Sequence, residues 1–470
     1  MSAIVVVGDA LLDRDVVGTV ERLSPDAPVP VVDEDAVRSR PGGAGLAALL
    51  AATDGDDVTL VTALGADAAG EEVRAMLAAR GVDVVDLGMR GTTPEKIRIG
   101  APGRPLLRLD RGEGGAIGDP DVAARSAIAW ADAVLVADYG RGVAAAPAMR
   151  EILAGVRTPV VWDPHPRGAA PVPGAALVTP NLAEARALVP DPPGDGTPAV
   201  ARRARALAER WEAGAVCVTC GARGAVLSAG SAPPLVVPAD PAPGGDPCGA
   251  GDRFAARAAA ALADGATPAE AVVAAVRAAS EFVAAGGATA IAAPADGRGV
   301  AGETATARAT SSGPDDPPTD ALRLAERVRA RGGVVVATGG CFDLLHPGHV
   351  RTLEAARALG DCLVVCLNSD ASVRRLKGPG RPVVSEADRA AVLQALACVD
   401  AVLVFAEDTP TAALERLRPA VWAKGADYAG QELPEAAVLA GWGGEIVLLP
   451  LVHGRSTTRI IQEASLRAIG

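Results

Sequence analysis

The stretch Gly244-Gly-Asp-Pro-Cys-Gly-Ala-Gly-Asp-Arg-Phe254 stands directly before a long Ala-rich segment with helical character. Gly249 and Gly251 allow the main chain to approach a ligand closely, and the positive end of a helix that begins there favours an anion. Asp252, an acid among anion-binding amides, indicates a general base that takes a proton from a substrate hydroxyl while the amides hold a phosphoryl group. The alternative is an aspartate that caps the helix after a glycine turn. This segment alone favours neither.

Residues 1–290 alternate short β-branched runs with Ala-rich amphipathic stretches. This pattern predicts a three-layer α/β domain with a mostly parallel sheet and helices on both faces. Residues 14–40 and 92–111 consist instead of short extended runs broken by Pro and Gly, which predicts a small β-lid beside the sheet. The expected elements include strands Ile4–Val7, Val58–Thr62, Ala133–Ala137, Val160–Trp162, Leu177–Thr179 and Ala215–Thr219, and helices Glu71–Arg80 and Ala199–Ala213.

Residues 295–320 are small, polar and rich in Pro, without any periodicity, so they are predicted to form a linker. The predicted domains are therefore 1–294 and 321–470. A helix is expected over Asp320–Arg331, after which the βα alternation restarts and predicts a smaller Rossmann-like α/β domain. Its expected strands are Val334–Thr338, Cys362–Asn368, Ala401–Phe405, Ala420–Lys424 and Glu445–Leu449.

The composition excludes several classes of protein. The 470 residues carry a net charge of -12, which argues against a nucleic-acid binder or a protein held on anionic lipid. The chain starts without a basic region and has no uncharged apolar stretch of about 20 residues, so neither a signal peptide nor a membrane span is expected. Seven cysteines, an odd number, indicate a reducing cytoplasm. Cys217-x-x-Cys220 has no second pair, which favours a buried strand over a zinc or redox site.

Lysine is rare in this chain. Only Lys96, Lys377 and Lys424 occur among 45 basic residues. Lysine is a compact point charge and arginine a planar fork, so the two are not equivalent around phosphates. A residue type that is almost absent is more often needed where it remains, although three lysines on solvated surfaces would also be compatible with chance.

A second motif, Thr338-Gly-Gly-Cys-Phe-Asp-Leu-Leu-His-Pro-Gly-His349, follows a predicted strand and opens a helix. The spacing places His346 and His349 on one helical face at its positive end. A metal site would need a third ligand and usually an acid between the histidines, and the interior here is Pro-Gly. The context therefore favours binding of a phosphate over a metal site or a plain helix cap.

The first motif and its neighbours resemble the ribokinase-like sugar kinases. The matching segments include Gly8-Asp-Ala-Leu-Leu-Asp13, Gly42-Gly43, and Thr179-Pro-Asn-Leu-Ala-Glu184. The resemblance implies that Asp252 is the catalytic base and that Asn181 and Glu184 work near ATP and magnesium, with Gly249 and Gly251 at the nucleotide. The substrate contacts expected from the resemblance are Asp9, Asp13, Gly42, Gly43, Arg108 and Asp138.

The second motif resembles the His-x-Gly-His motif of the cytidylyltransferase-like nucleotidyltransferases. The resemblance implies that His346 and His349 stabilise charge at the α-phosphate during in-line attack. Lys377, in Leu376-Lys-Gly-Pro-Gly-Arg381, is expected to be catalytic and, with Arg381, to grip pyrophosphate from a loop. The other nucleotide contacts expected are Gly339, Phe342, Ser456, Thr457 and Thr458.

The order of the two halves resembles the bifunctional enzymes of heptose activation, over nearly the whole chain. Further shared segments are Ala137-Asp-Tyr-Gly-Arg-Gly142, Leu107-Arg-Leu-Asp110 and Glu407-Asp-Thr-Pro410. The resemblance implies a kinase that converts heptose 7-phosphate to the 1,7-bisphosphate and a transferase that makes ADP-heptose and pyrophosphate from heptose 1-phosphate and ATP. It also implies Mg²⁺ bound with ATP rather than at a fixed protein site, a separate phosphatase that removes the 7-phosphate, and a cytoplasmic homodimer paired through the lid.

Four residues depart from the pattern of that family, all in the kinase half: Leu46, His165, Cys220 and Arg253. They leave two alternatives open. One is the same pair of reactions on a different sugar phosphate. The other is a kinase half that binds sugar and nucleotide without turnover and regulates an active transferase.

Overall fold

The computed structural model describes residues 2–101, 104–192, 194–291, 320–428 and 433–450. These residues form two compact units. The first contains residues 2–188, 206–222 and 239–291, and the second contains residues 189–205, 223–238 and the described part of 320–450. The predicted boundaries at 294 and 321 adjoin or lie among residues outside the described ranges, so they stay a prediction.

The elements follow one another in the alternating order that the sequence predicts. The strands are β1 (Ala3–Gly8), β2 (Ala10–Leu23), β3 (Pro30–Gly43), β4 (Asp57–Thr62), β5 (Val82–Asp86), β6 (Met89–Thr92), β7 (Glu95–Ala101), β8 (Arg104–Arg111), β9 (Gly114–Ile117), β10 (Ala133–Ala137), β11 (Val160–Asp163), β12 (Leu177–Val178), β13 (Ala215–Thr219), β14 (Ala225–Ala229), β15 (Leu235–Val237), β16 (Val335–Gly340), β17 (Cys362–Asn368), β18 (Ala401–Phe405), β19 (Val421–Gly425) and β20 (Glu445–Leu449). The helices are α1 (Ala44–Ala52), α2 (Ala68–Ala78), α3 (Val122–Trp130), α4 (Pro147–Gly155), α5 (Leu182–Leu188), α6 (Thr197–Trp211), α7 (Ala250–Ala263), α8 (Pro268–Ala284), α9 (Gly287–Ile291), α10 (Ala321–Ala330), α11 (Pro347–Arg357), α12 (Asp370–Lys377), α13 (Glu386–Gln394), α14 (Thr411–Leu417) and α15 (Glu435–Ala440).

The main sheet of the first unit is parallel, with strand order β13-β12-β11-β10-β1-β4-β5. All five residues of β10 are buried, as expected of a strand covered by helices on both faces. The predicted α/β fold is therefore confirmed. Sequence reasoning did not identify β5, whose apolar residues are interrupted by acids.

The predicted lid is also present. It is a four-stranded sheet of order β3-β2-β7-β8, in which β2 is antiparallel to β3 and parallel to β7. β2 begins two residues after β1 ends, so the lid grows directly out of the carboxyl end of a central strand of the main sheet. This connection places lid residues beside the loops where parallel sheets bind ligands.

In the second unit, the strands after residue 334 form a parallel array of order β18-β17-β16-β19-β20. Its core contains Trp422, Val364 and Cys366, packed against Leu414 of α14. This is the predicted Rossmann-like arrangement. None of the described helices is both long and apolar enough to cross a bilayer.

Candidate active sites

The glycine loop before α7 is built as an opening for an anion. Gly249 precedes the helix with φ of 81°, a left-handed conformation that favours glycine. A side chain at Gly249 would press against Leu46 and Phe282, whereas one at Gly251 would meet no atom within 4 Å. The start of α7 is therefore open on the side of Gly251. Leu46, one of the four departures, packs against this loop.

Asp252 lies inside the first turn of α7 and is not the residue that caps it, which removes the capping alternative. Its side chain is only 8% exposed and accepts a hydrogen bond of 2.5 Å from Tyr139 Oη. Burial raises the pKa of Asp252 to about 7, opposed by the Tyr139 hydrogen bond. A carboxyl that titrates near neutral pH is suited to act as a general base.

A cavity of about 180 Å³ opens beside Asp252. It brings together several residues that the sequence predicted for one site and others that it did not. The predicted lining residues are Asp138, Asn181, Glu184, Gly249, Gly251 and Asp252. The lining residues that sequence reasoning did not assign to the site include Tyr139, Asp163, Thr179 and Thr219.

Asn181 and Glu184 form a reciprocal cap at the start of α5. The Asn181 side chain accepts from the Glu184 main-chain amide at 3.0 Å, and Glu184 Oε2 accepts from the Asn181 amide at 2.8 Å. Burial raises the pKa of Glu184. Among the described residues there is no group of three or more side chains able to hold a metal ion. That Mg²⁺ reaches this site bound to the phosphates of ATP stays a prediction.

Two of the predicted substrate contacts, Asp9 and Asp138, accept hydrogen bonds from main-chain amides. Asp9 accepts hydrogen bonds of 2.9–3.2 Å from three main-chain amides, those of Tyr139, Arg141 and Val143. Asp138 accepts from two more, Gly140 and Ala169, at 2.8 and 2.9 Å. These bonds fix the loop that carries Tyr139 toward Asp252. That Asp9 and Asp138 also touch the sugar stays a prediction.

The glycine pair and Asp13 meet at the base of the lid. Gly43 precedes α1 with φ of 60°, and a side chain at Gly42 would lie 2.7 Å from Asp13 Oδ2. Asp13 is 4% exposed and lies 3.2 Å from Arg98 Nη1. Arg108 is further out on β8, where it pairs with Asp110 through two hydrogen bonds of 2.8 Å. The lid therefore carries charged side chains to the rim of the kinase site.

The other departures are accommodated in the fold. Arg253 turns away from the cavity and binds Asp54 through two hydrogen bonds of 2.8 Å. The ring of His165 stacks 6.3 Å from that of Tyr139, and burial lowers its pKa. Cys220 is half-buried, and its Sγ lies 3.6 Å from the carbonyl oxygen of Val218.

The second candidate site is centred on the two histidines. His346 directly precedes α11, and its ring stacks on that of His349 with centroids 3.9 Å apart. Burial, followed by the charges of His346 and Lys377, lowers the pKa of His349 to about 4. Among the described residues His349 Nδ1 has no hydrogen-bond partner. His349, with its lowered pKa and the unpaired Nδ1, therefore lies at the start of α11, where the positive end of the helix favours an anion.

Phe342 and Gly339 shape the wall of this site. Phe342 has φ of 44°, a conformation unusual for a bulky residue, and its ring lies 5.4 Å from that of His349. Gly339 is needed for packing, since a side chain there would lie 2.5 Å from the Trp422 ring. Their contacts with nucleotide stay a prediction.

The loop after Lys377 is anchored by a residue that sequence reasoning missed. Asp343 accepts from the amides of Val383 and Val384 at 2.7 and 3.0 Å and forms a short ion pair with Arg381. Although burial alone would raise it, these bonds lower the pKa of Asp343. Arg381 is therefore paired with Asp343, and its expected contact with pyrophosphate stays a prediction. Lys377 is exposed and near enough to His349 to lower its pKa.

The remaining residues that the sequence singled out in this half are Lys424, as a rare lysine, and three predicted nucleotide contacts. Lys424 forms a 2.8 Å ion pair with Glu435 and lies 4.3 Å from the centre of the Tyr428 ring. Ser456, Thr457 and Thr458 lie outside the described residues.

Comparison with known proteins assigns each half to a family. Residues 1–296 match the pfkB family of carbohydrate kinases, and residues 337–463 match the cytidylyltransferase-like family. Among solved structures, phosphofructokinase-2 from Escherichia coli has a TM-score of 0.52 at 19% identity and covers 62% of this chain and 97% of its own. At that identity the likeness concerns the fold alone.

Full-length relatives share both halves. The chain is 57% identical to "Bifunctional protein HldE" of Streptomyces coelicolor, over 98% of this chain and 96% of that protein. It is 40% identical to the protein of the same name from Azotobacter vinelandii, over 98% of this chain and 97% of the relative. The chain therefore belongs to the HldE family of bifunctional enzymes, in which a pfkB-family carbohydrate kinase is joined to a cytidylyltransferase-like nucleotidyltransferase.

Proposed function

We propose that this enzyme phosphorylates heptose 7-phosphate at its anomeric hydroxyl and, at a second site, transfers AMP from ATP to heptose 1-phosphate. The first reaction gives the 1,7-bisphosphate and ADP, and the second gives ADP-heptose and pyrophosphate. The observation that carries the kinase assignment is the buried Asp252, which lines a cavity together with Gly249 and Gly251 at the start of α7. The stacked His346 and His349 carry the transferase assignment.

In the kinase site, the Asp252 carboxylate accepts the proton of the anomeric hydroxyl as the hydroxyl oxygen attacks the terminal phosphorus of ATP. The amides at the start of α7 donate to the phosphoryl oxygens, where negative charge is concentrated in the transition state. Mg²⁺ bound with ATP would be held near Glu184 and Asn181 and would neutralise phosphate charge. Asp163 faces the same cavity, and burial together with the charge of Asp252 holds its pKa well above the usual value.

In the transferase site, a phosphate oxygen of heptose 1-phosphate attacks the α-phosphorus of ATP and pyrophosphate leaves. His346 and His349, at the positive end of α11, donate hydrogen bonds to the α-phosphate oxygens. Lys377, whose side chain is exposed at the end of α12, meets the departing pyrophosphate. Asp343 keeps the following loop in place through Arg381.

The product of the kinase is not the substrate of the transferase, because the kinase makes a bisphosphate and the transferase uses a monophosphate. A separate phosphatase must remove the 7-phosphate between the two steps.

We place both reactions in the cytoplasm, where ATP is available, and propose a homodimer paired through the lid. Support for the dimer comes from exposed apolar side chains of the lid, namely Leu23, Val29, Val37, Leu107 and Leu109.

Substrate identity is tested by measuring ADP release by the full chain with a panel of heptose and hexose phosphates. We expect heptose 7-phosphate to give the highest kcat/KM. A higher value for a hexose phosphate would assign the kinase to another sugar. No turnover with any acceptor, with intact adenylyl transfer, would favour a regulatory kinase half.

Tyr139→Phe is expected to move the acidic limb of the kinase pH profile to higher pH. The Tyr139 hydroxyl stabilises the ionised form of Asp252, so its loss raises the pKa of the base and leaves more of it protonated near neutrality. The other charged groups acting on Asp252 or beside it, Asp13, Lys96 and Asp163, are unchanged. The measurement is kcat/KM between about pH 6 and about pH 9. A uniform loss at every pH would show that Tyr139 does not tune the base.

Limited proteolysis is expected to cut first within residues 295–320. Val300 is the only large aliphatic residue of this segment, which is too little to anchor it to either half. Mass spectrometry of the fragments should give two stable products, each with one activity. A first cut elsewhere, or loss of both activities on cleavage, would contradict the predicted boundaries.

A further inference from the structure

A buried arginine in the transferase half takes no part in the mechanism described above. Arg389 lies in α13 and is only 1% exposed. A buried guanidinium group destabilises a fold unless its N–H groups find acceptors. Arg389 makes four hydrogen bonds: Nε donates to Val384 O at 3.0 Å, Nη1 donates to Cys341 O at 2.5 Å and to Asn368 O at 2.9 Å, and Nη2 donates to Asp370 Oδ1 at 2.8 Å. Most of the acceptors are thus main-chain carbonyls.

These acceptors belong to three segments that border the transferase site. Cys341 lies in the loop that leads from β16 to His346. Asp370 is the first residue of α12, the helix that ends at Lys377. Val384 lies in the loop that follows this helix, before α13 begins. One side chain therefore connects the segment before the histidines to the segments on both sides of Lys377.

The loop between β16 and α11 is held at two points. Arg389 binds Cys341 O, and Asp343 accepts from two amides of the loop after α12. Between these two points Phe342 has φ of 44°, a strained conformation that persists only where the surroundings enforce it. The Phe342 ring lies 5.4 Å from that of His349. The contacts of Arg389 therefore help to fix the side chain that packs beside a histidine of the site.

We propose that Arg389 is a positioning residue for adenylyl transfer, because it holds the loop of Phe342 and thereby fixes the ring of His349 where the α-phosphate binds. The inference rests on the proposed function of the histidines and extends it to a buried residue that supports them. Arginine suits this task, since its five N–H groups point in fixed directions within one plane and can bind several carbonyls at once. A displacement of about 1 Å in a group that acts in the transition state can lower a rate by about 100-fold.

The first test is the rate of adenylyl transfer by Arg389→Lys. Lysine keeps the positive charge, but its single ammonium group cannot reach all three segments at once. We expect kcat with heptose 1-phosphate to fall by about 10- to 100-fold and KM for ATP to change far less, because the histidines act mainly in the transition state. The kinase rate of the same variant should stay normal.

The matched control is Arg357→Lys, at the end of α11 away from the histidines. Like Arg389, Arg357 binds a main-chain carbonyl and a carboxylate, here Gly360 O and Asp400, each at 2.8 Å. Its substitution disturbs a comparable set of contacts outside the site. We expect both activities to be unchanged in this variant.

The second test follows His349 itself by NMR of the full chain labelled with ¹⁵N in its histidine rings, without any sugar. The chain has four histidines, so the spectrum is simple. Burial is the main reason that the pKa of His349 is lowered to about 4, followed by the charges of His346 and Lys377, which are unchanged in Arg389→Lys. When the loop of Phe342 relaxes, His349 should be less covered, and its pKa should rise toward the usual value. A loss of overall stability would not move the titration of the folded protein.

Two results with a folded Arg389→Lys variant would overturn the inference. One is a normal kcat for adenylyl transfer. The other is a lower kcat with an unchanged titration of His349, which would show that Arg389 acts on stability alone.

If the histidine signals show that Arg389→Lys does not fold, Asp370→Asn decides the question. Its amide oxygen can still accept from Arg389 but has lost the charge, so we expect a smaller fall in kcat and a smaller rise in the pKa of His349. An unchanged kcat and titration in this variant would also overturn the inference. A raised pKa of His349, without adenylyl transfer from heptose 1-phosphate by the unaltered protein, would contradict the proposed reaction and support the link from Arg389 to His349.

Discussion

Asp252→Asn is expected to lower kinase turnover by about 100-fold or more, the scale of losing a general base. Asparagine keeps the size of the side chain and can still hydrogen-bond to Tyr139, but it cannot accept the proton of the anomeric hydroxyl. The sugar and ATP should still bind, so the loss should fall on kcat rather than on KM. ADP release with heptose 7-phosphate measures the effect.

The matched control is Asp264→Asn, at the opposite end of the same helix. Asp264 is exposed and accepts a 2.8 Å hydrogen bond from Ser2 Oγ, away from the cavity. Its substitution should leave both activities intact. Adenylyl transfer should be normal in both variants. A near-normal kinase rate in Asp252→Asn would remove Asp252 from the mechanism.

His349→Ala is expected to lower adenylyl transfer by about 100-fold or more, as for removal of a donor to a developing oxyanion. His346→Ala should have an effect of the same order, because the two stacked rings act on the same phosphate. Binding of ATP should weaken far less than the rate falls, since the histidines act mainly in the transition state. Lys377→Ala should differ, because its charge meets the leaving group and its loss should weaken ATP and pyrophosphate binding as well.

His165→Ala is a suitable control for the histidine variants, because it removes an imidazole from the kinase half and should not change adenylyl transfer. Metal analysis of the purified protein should find no stoichiometric zinc. Zinc that is present and is lost on substitution of His346 or His349 would replace the nucleotidyltransferase assignment with a metal site.

The elements that sequence reasoning placed correctly are those with a strong local signal. β10 and β17 are almost continuous apolar runs, and α7 follows a glycine turn. A few neighbouring residues are therefore enough to predict the type of each element and where it begins. The motifs around Asp252 and His349 are likewise local. Their position at strand ends and helix starts follows from the alternating order of the elements.

The residues that sequence reasoning missed depend on partners that are distant in the chain. Tyr139 and Asp252 are 113 residues apart and meet only because the loop after β10 and the first turn of α7 come together in the fold. Asp343 and Arg381 are 38 residues apart, and only the fold of the intervening chain brings them together as an ion pair. The rarity of lysine makes Lys96 stand out in the sequence. That Arg98 lies opposite Arg108 follows only from the register of β7 and β8.

The central claim is that one chain breaks ATP at two different phosphates in two separate sites. It is tested most directly by ³¹P NMR of the products formed by the full chain. With heptose 7-phosphate and ATP, we expect ADP and heptose 1,7-bisphosphate without pyrophosphate. With heptose 1-phosphate and ATP, we expect ADP-heptose and pyrophosphate without free ADP. Pyrophosphate from neither substrate, or ADP as the only nucleotide product from both, would contradict the account.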